Sequence, residues 1–237
     1  MSDLLHKPLK DEIFDVLYKR IIAGKYLPGE WLRQEEVASQ LGVSMTPVRE
    51  ALDLLVSAGL AERVPYRGVR ILQLSDSEIV EAYGLRLLLE TSAARVAAVF
   101  ASPEQLQELK QLLEQMQSQV MLSQMHTLRQ LNREFHLLLV QAAGSPLLTK
   151  TYTLVVNSFP DWMLYEAMFR HPELLSSSLA AEHAEHSQIV AALEACDPDL
   201  AAHHIATHIR NLGKELQQFL NISALQLAEK ERQLHTN

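Results

Sequence analysis

The chain has 237 residues, a formal net charge of −8 at neutral pH and a hydrophobic fraction of 48%. This length predicts one or two domains, and this composition is ample for a packed core. No apolar run approaches the roughly 18 residues of a membrane span, and no charged-then-apolar leader is present, so we expect neither a transmembrane helix nor a secretory signal. The single cysteine, Cys196, excludes an internal disulfide and is typical of a reducing cytoplasm.

Two helices are predicted in the first part of the chain. Residues 10–22 carry apolar side chains at helical spacing and are followed by a break at Leu27-Pro28-Gly29. Residues 35–41 repeat the helical pattern over a shorter stretch, and Gly42 then supplies a residue that adopts positive φ without strain. We therefore expect a short helix that ends in a tight turn, with the first helix packed behind it.

A third helix is predicted over residues 46–58. Thr46 is a suitable N-cap, and Pro47 suits the first helical position because its missing N–H would have no partner there. The apolar stripe of this helix leaves four polar residues facing outward, namely Thr46, Arg49, Glu50 and Asp53. An exposed N-terminal end of this kind is what a recognition helix presents to the major groove of DNA.

A small β-hairpin follows the third helix. Residues 60–64 and 69–72 are short β-prone runs, and the turn Pro65-Tyr66-Arg67-Gly68 joins them. The hairpin therefore carries an arginine, Arg67, at its tip. Three helices followed by a basic hairpin are the order of a winged helix-turn-helix, so the sequence predicts a DNA-binding domain over residues 8–74.

The segments PGEWL, VASQLGVS, TPVREAL, AGL and PYRG resemble the DNA-binding domain of the GntR family of bacterial transcription regulators. The resemblance covers residues 9–72 and implies DNA contacts from the recognition helix, the helix before it and the wing tip. By position, the implied DNA-binding residues are Glu35, Met45, Thr46, Arg49, Arg67 and Gly68. Many family members have arginine at the position of Met45, and some at that of Glu35, so the operator sequence does not transfer from relatives.

Arg49 and Arg67 are the strongest candidates for reading DNA. A guanidinium group binds guanine O6 and N7 in a bidentate manner, or it grips phosphate and the minor groove. For Arg49, the alternative is an i, i+4 ion pair with Asp53 on a solvated helix face.

Charge is distributed unevenly along the chain. Residues 1–74 contain ten Lys or Arg and ten Asp or Glu, whereas residues 75–237 contain eleven and nineteen. A neutral DNA-binding domain attracts phosphate only modestly, so we expect two copies to act together on double-stranded operator DNA, as a homodimer.

The second part of the sequence predicts an all-helical domain over residues 76–222 and a polar C-terminal tail over residues 223–237. Capping residues and prolines at the first helical position mark helix starts, as at Ser75 and Pro198. The predicted helices run near 76–100, 103–120, 124–143, 146–158, 161–169, 172–195 and 198–221. Six or seven such helices predict an antiparallel bundle, which makes the whole chain mainly α.

Three histidines lie on apolar stripes of separate predicted helices: His136, His186 and His208. For any one of them alone, a hydrogen-bonded core histidine is the commoner explanation. Together, with the amide of Asn132 one turn before His136, they suggest a cage for Zn, Ni, Mn or Fe, because neutral imidazoles and an oxygen donor suit these metals.

The segments NREFHLLL, EHSQIVAALEACDPDLAAHHIATHI and GLRLLLETSAARVAA resemble the ligand-binding domain of the FadR subgroup of the GntR family. This resemblance implies a divalent metal held by an Asp-x3-His pair and two later histidines, which map onto Asn132, His136, His186 and His208. Asn132 replaces the usual aspartate, which leaves the site one negative charge short. The resemblance also implies that a small carboxylate effector fills the open coordination positions of the metal.

Arg86 lies on the inward stripe of the first bundle helix, and a buried guanidinium needs an anion. Either Glu90, four residues later, or the carboxylate of an effector satisfies it. Asn157, together with Trp162 and Tyr165, is a further candidate for the effector pocket.

These features predict a ligand-responsive transcription regulator whose DNA-binding domains are repositioned when the effector binds. Release of DNA by the ligand is the usual direction in the GntR family, so the resemblance implies a repressor. The competing class is a metal-dependent, hydrolase-like enzyme that uses the histidine cluster to activate water. That alternative lacks an HExxH motif and leaves the N-terminal motif unexplained.

Overall fold

The computed structural model describes residues 7–117, 125–157, 159, 161–169 and 171–235. The chain divides into two compact units, Met1–Leu74 and Ser75–Asn237. Among the described residues, no helix is both long enough and apolar enough to cross a membrane.

The first unit contains three helices and three short strands in the part of it that the structure describes. They are α1 (Leu9–Ile22), β1 (Trp31–Leu32), α2 (Gln34–Leu41), α3 (Met45–Ser57), β2 (Ala61–Val64) and β3 (Gly68–Ile71). The strands form an antiparallel sheet in the order β1-β3-β2, with Leu32 opposite Val69. The predicted winged helix-turn-helix is confirmed, and β1 adds a third strand that is too short for its alternation to be read from the sequence.

The apolar stripe of α3 packs against α1. Val48, Ala51 and Leu55 on α3 are fully buried, as are Leu17 and Ile21 on α1. This small core holds the opposite, polar face of α3 toward solvent.

The start of α3 differs from the prediction. The helix begins at Met45, and Ser44, whose backbone is extended, precedes it in the N-cap position that we expected for Thr46. Pro47 is therefore the third helical residue, where its missing N–H still has no acceptor within the helix. Gly42 ends α2 in the left-handed conformation, with a φ of 68°, as the sequence predicts.

The second unit is a bundle of helices. Within the described residues they are α4 (Asp76–Phe100), α5 (Pro103–Gln117), α6 (Met125–Ala142), α7 (Pro146–Asn157), α8 (Asp161–Phe169), α9 (Pro172–Glu194), α10 (Pro198–Leu220) and α11 (Ala224–His235). The long helices α4 and α10 pack against each other at the centre, and α6 and α9 complete the core around them. The predicted bundle is confirmed, while the predicted helical residues 118–120, 124 and 158 lie outside the described part of the chain.

The C-terminal segment forms a helix, α11, and not the polar tail predicted for residues 223–237. Leu227 on this helix is only 2% exposed, and Glu231 accepts a hydrogen bond of 2.5 Å from the hydroxyl of Tyr83 on α4. The prediction was wrong because one buried leucine in a polar helix leaves no apolar period, and tertiary contacts supply most of the stability of such a helix.

A glycine on α4 permits this close packing. Lys230 on α11 donates a hydrogen bond of 2.6 Å to Glu81, and its side chain passes over Gly84. A Cβ atom at Gly84 would lie 2.6 Å from Lys230 Cγ, so any other residue there would displace the lysine.

We expect Leu227→Ala to destabilise the second unit by about 2–4 kcal/mol, because it removes a buried side chain and leaves a cavity. Leu225→Ala is the matched control, since Leu225 is 81% exposed on the same helix; its effect should stay within about 0.5 kcal/mol. Urea denaturation followed by circular dichroism measures both. Equal, small effects of the two substitutions would contradict the docking of α11.

Candidate functional site

A groove in the first unit collects most of the residues expected to bind DNA. It has a volume of about 590 Å³ and is lined by residues of α2, α3 and the sheet. The charged residues of its lining are Arg33, Glu35, Glu36, Arg49, Arg63 and Arg67. Gly68 of the wing also borders the groove. Of the six predicted DNA-binding residues, Met45 and Thr46 are not part of this lining; both are exposed at the start of α3.

Four arginines line the groove, and two of them, Arg49 and Arg67, are predicted DNA-binding residues. Arg33 and Arg63 were missed because neither stands at a position that the family motif marks. Arg63 forms an ion pair with Asp53, so the alternative pairing of Arg49 with Asp53 is not the one that the structure shows. Neither Arg49 nor Arg67 has an ion-pair partner among the described residues, which leaves both guanidinium groups available to an external anion.

The backbone of the wing tip is constrained. The amide of Arg67 donates a hydrogen bond of 3.1 Å to the carbonyl of Val64, which closes the turn. Tyr66 has a φ of 63° and Gly68 a φ of 111°, both in the left-handed region. Glycine tolerates this conformation at Gly68 at little cost. The side chains of Tyr66 and Arg67 consequently point into solvent.

The second unit brings the three predicted histidines together. His136 lies on α6, His186 on α9 and His208 on α10, and all three are buried. The Nε2 atom of His136 is 3.3 Å from Nε2 of His186 and 3.2 Å from Nε2 of His208. One nitrogen of each ring falls within 4.8 Å of the other two, which is a spacing that a single metal ion can bridge.

Carboxylates face the opposite side of two of these rings. His136 Nδ1 lies 2.7 Å from Glu90 Oε2, and His208 Nδ1 lies 2.7 Å from Glu185 Oε2. Glu185 also accepts a hydrogen bond from Asn211 on α10. Carboxylates in this position fix the orientation of a ring and direct its other nitrogen toward a shared centre, as they do in metal sites.

Burial keeps two of the rings, those of His136 and His186, uncharged. It lowers the pKa of His136, against the opposing effect of Glu90, and it lowers that of His186 further because His208 and His136 are close. Burial alone would raise the pKa of Glu90, but Arg86 and His136 outweigh it and hold that pKa below its ordinary value. At neutral pH the centre therefore combines the ionised carboxylate of Glu90 with neutral rings at His136 and His186, whose lone pairs are free to bind a metal.

Of the two partners considered for Arg86, the structure shows an ion pair with Glu90. Arg86 Nε donates a hydrogen bond of 2.7 Å to Glu90 Oε1, and both side chains are buried. The guanidinium carbon also lies 4.8 Å from the centre of the Phe159 ring. Glu90 is thus the ion-pair partner of Arg86, which also lines the small cavity beside the histidines.

A cavity of about 30 Å³ lies beside the histidine centre. That volume holds about one water molecule. Its polar lining comprises Arg86, Asn132, Asp161, Tyr165, Glu182, His208 and Glu215. The side chain of Asn157, proposed for the effector pocket, lies outside the described part of the structure.

Asn132 contacts Glu182, which is not among the site residues predicted from the sequence. Its Nδ2 donates a hydrogen bond of 2.9 Å to Glu182 Oε1, whereas its Oδ1 is buried and has no hydrogen-bond partner among the described residues. Burial, together with Glu215 and Glu185 nearby, raises the pKa of Glu182 to about 8. The spacing of Glu182 and His186, i and i+4 on one helix, was the available sequence pattern.

This donor set fits a divalent metal ion. Three imidazole nitrogens converge, and the amide oxygen of Asn132 is buried with no donor among the described residues to satisfy it. Borderline ions such as zinc accept such nitrogen and oxygen ligands.

Two family descriptions match the chain. Bacterial regulatory proteins, gntR family, matches residues 9–71, and FCD domain matches residues 81–211. Together these matches take in both units.

Individual relatives are transcription regulators. The Probable D-xylose utilization operon transcriptional repressor of Paenarthrobacter nicotinovorans is 31% identical over 208 residues, which cover 87% of this chain and 88% of that protein. The HTH-type transcriptional regulator McbR of Escherichia coli is 30% identical over 218 residues, covering 90% and 96% of the two chains. The solved structure of E. coli McbR/YncC has a TM-score of 0.61 at 26% identity and covers 90% of this chain and 100% of its own.

Such proteins are regulators and not enzymes, so the hydrolase alternative is not favoured. The groove at the recognition helix agrees with that conclusion, because a metal-dependent enzyme has no use for it. The chain belongs to the GntR family of bacterial transcription regulators, with a DNA-binding winged helix-turn-helix in its first unit and an FCD domain in its second.

Proposed function

We propose that this regulator is a repressor that binds double-stranded operator DNA in the cytoplasm as a homodimer and releases it when a small effector binds in the second unit. The observation that carries the proposal is the convergence of three buried histidines in a chain that also carries a groove beside its recognition helix. Two similar proteins bear the name repressor, which supports the direction of regulation.

DNA reading is assigned to the exposed face of α3 and to the wing. The start of α3 would enter the major groove, where Arg49 contacts base edges and Met45 and Thr46 lie beside it. Arg67 at the wing tip would bind phosphate or the minor groove, and the absence of a side chain at Gly68 allows a close approach. Glu35 on α2 completes the set of residues carried over from the family.

An exposed apolar stripe on α4 supports the homodimer. Leu85, Leu88, Val96, Val99 and Phe100 are all exposed and recur at helical spacing on one face. Exposed apolar surface of this extent marks an interaction site, and a two-fold axis would pair the stripe with its own copy. A dimer would also supply the second DNA-binding unit that a neutral one needs.

The metal site is assigned to His136, His186, His208 and the amide oxygen of Asn132, with Zn, Ni, Mn and Fe as candidate ions. A bound divalent ion would supply open coordination positions for a carboxylate of the effector. Arg86, which pairs with Glu90 through Nε and also lines the cavity beside the histidines, remains a proposed effector contact. Asn157, at the end of α7, remains a proposed effector contact.

Coupling between the two units need only be modest. A coupling free energy of about 1–3 kcal/mol changes operator affinity by roughly 5–150-fold, which is enough to control transcription. The effector acts through its preference for one arrangement of the two DNA-binding units of a dimer.

The first test replaces both Arg49 and Arg67 by alanine. Operator duplexes are selected from a random-sequence library with the wild-type protein, and affinity is then measured by fluorescence anisotropy. Loss of two guanidinium contacts, each worth about 1–3 kcal/mol, should weaken binding at least tenfold. Lys150→Ala removes an exposed positive charge from the second unit and should leave affinity unchanged; an unchanged affinity of the double variant would refute the assignment.

The metal site is tested by metal content. Mass spectrometry of protein purified without chelators should find about one divalent ion per chain, lost in His136→Ala and His208→Ala because each removes a ligand. His203→Ala, which alters an exposed histidine on α10, should keep the ion. Equal content in all four proteins, or no metal in the wild type, would argue against the site.

The dimer is tested with Leu88→Glu and Val99→Glu combined. Two charges on the apolar stripe should turn the dimer into a monomer, because burying an unpaired carboxylate is costly. Analytical ultracentrifugation reports the mass directly. Leu225→Glu places the same charge on an exposed position of α11 and should leave the dimer intact; a dimeric double variant would show that the interface lies elsewhere.

A further inference from the structure

Met45 is an exposed apolar side chain at the end of α3 that would enter DNA. It is the first residue of the helix and is 51% exposed, whereas the other large apolar side chains of α3 are buried or partly buried. Arg49, which is also exposed, follows four residues later and therefore lies on the same helix face, one turn away. This face thus presents a thioether beside a guanidinium group.

The backbone that carries Met45 is held from two sides. Gln34, the first residue of α2, donates a hydrogen bond of 2.6 Å from Nε2 to the carbonyl oxygen of Met45. Val48, in the same helical turn, is fully buried in the core of the unit. Contact with DNA would therefore require ordering of the methionine side chain only, because the turn beneath it is already positioned.

The thioether distinguishes bases by the hydrogen bonds that it cannot make. It donates none and accepts only weakly, so it cannot replace the water at the polar edges of guanine, cytosine and adenine in the major groove. Thymine is different because it also presents its C5 methyl group there. A flexible, polarizable side chain such as methionine packs well against a methyl group, whereas phosphate offers it no comparable contact.

We propose that Met45 reads the methyl group of a thymine in the major groove, close to the base that Arg49 contacts. One helical turn rises about 5.4 Å, and successive base pairs are about 3.4 Å apart, so the thymine lies about one or two base pairs from that base. The inference rests on the proposed DNA-reading role of α3, and it adds the base that the first residue of this helix selects.

The test removes the methyl group alone. In an operator duplex selected with the wild-type protein, each thymine is replaced in turn by deoxyuridine, which pairs identically but lacks the C5 methyl group. Affinity is measured by fluorescence anisotropy at one fixed salt concentration. At the thymine read by Met45, loss of one methyl contact should weaken wild-type binding about fourfold. Met45→Ala should bind the two duplexes equally, because its side chain is too short to reach the methyl group.

Two further variants sharpen the assignment. Thr46→Ser removes a methyl group from the neighbouring exposed residue, and whatever its affinity, it should remain sensitive to the same deoxyuridine. Met45→Arg should change the base selected at this position from thymine to guanine, because a guanidinium group binds guanine O6 and N7.

Three outcomes would count against the inference. If no deoxyuridine weakens wild-type binding, or if Met45→Ala stays as sensitive as the wild type, Met45 does not read a methyl group, although the DNA-reading role of α3 stands. Sensitivity lost in Thr46→Ser and kept in Met45→Ala would assign the contact to Thr46 instead. If the wild-type protein selects no duplex from the library, the DNA-reading role itself is wrong, which is a separate failure.

Discussion

The buried ion pair between Arg86 and Glu90 is the interaction on which the interior of the second unit depends. Both side chains belong to α4, and neither charge is tolerable at that depth without the other. The second oxygen of Glu90 lies 2.7 Å from His136 Nδ1, so a charge pair on α4 orients an imidazole carried by α6. The orientation of His136 in the histidine centre therefore depends on an ion pair that lies outside the three histidines. Arg86 balances the charge of Glu90, so Glu90 can contact the ring of His136 without the ring being protonated.

Helix α4 also has a distinct place in the chain. It begins at Asp76, directly after the capping residue Ser75 and the end of the first unit, and it carries Glu90 near its middle. It packs against α10, the helix that carries His208, and its Tyr83 donates a hydrogen bond to Glu231 on α11. Helix α4 therefore contacts the histidine centre through Glu90 and is continuous in the backbone with the first unit, so it is the element through which the proposed effector would act on the DNA-binding unit.

Sequence patterns predict the elements whose apolar residues repeat at regular spacing. They miss the elements and contacts that depend on a single side chain. The helices of both units follow from apolar spacing, and Gly42 marks a turn because its left-handed conformation costs glycine little. The positions of the three histidines on apolar stripes were sufficient to predict that His136, His186 and His208 lie together. Leu227 is one buried residue in a polar helix, and β1 is too short to alternate. The i, i+4 spacing of Glu182 and His186 places both on one helix face, but it does not show that Glu182 contacts Asn132 on α6, which only the tertiary structure reveals.

The division of charge along the chain supports the proposed response to a small ligand. A strongly basic DNA-binding unit would hold phosphate in almost any orientation, since that attraction is insensitive to detail. The first unit has equal numbers of positive and negative residues, so DNA binding would depend on a few arginines in one groove and, in the proposed homodimer, on both copies of this unit engaging together. Simultaneous engagement raises the affinity by about 10²–10⁴-fold only while the geometry permits it. A small change in the spacing of the two DNA-binding units of that homodimer would then remove most of the binding, so a ligand with a modest preference for one arrangement would be sufficient.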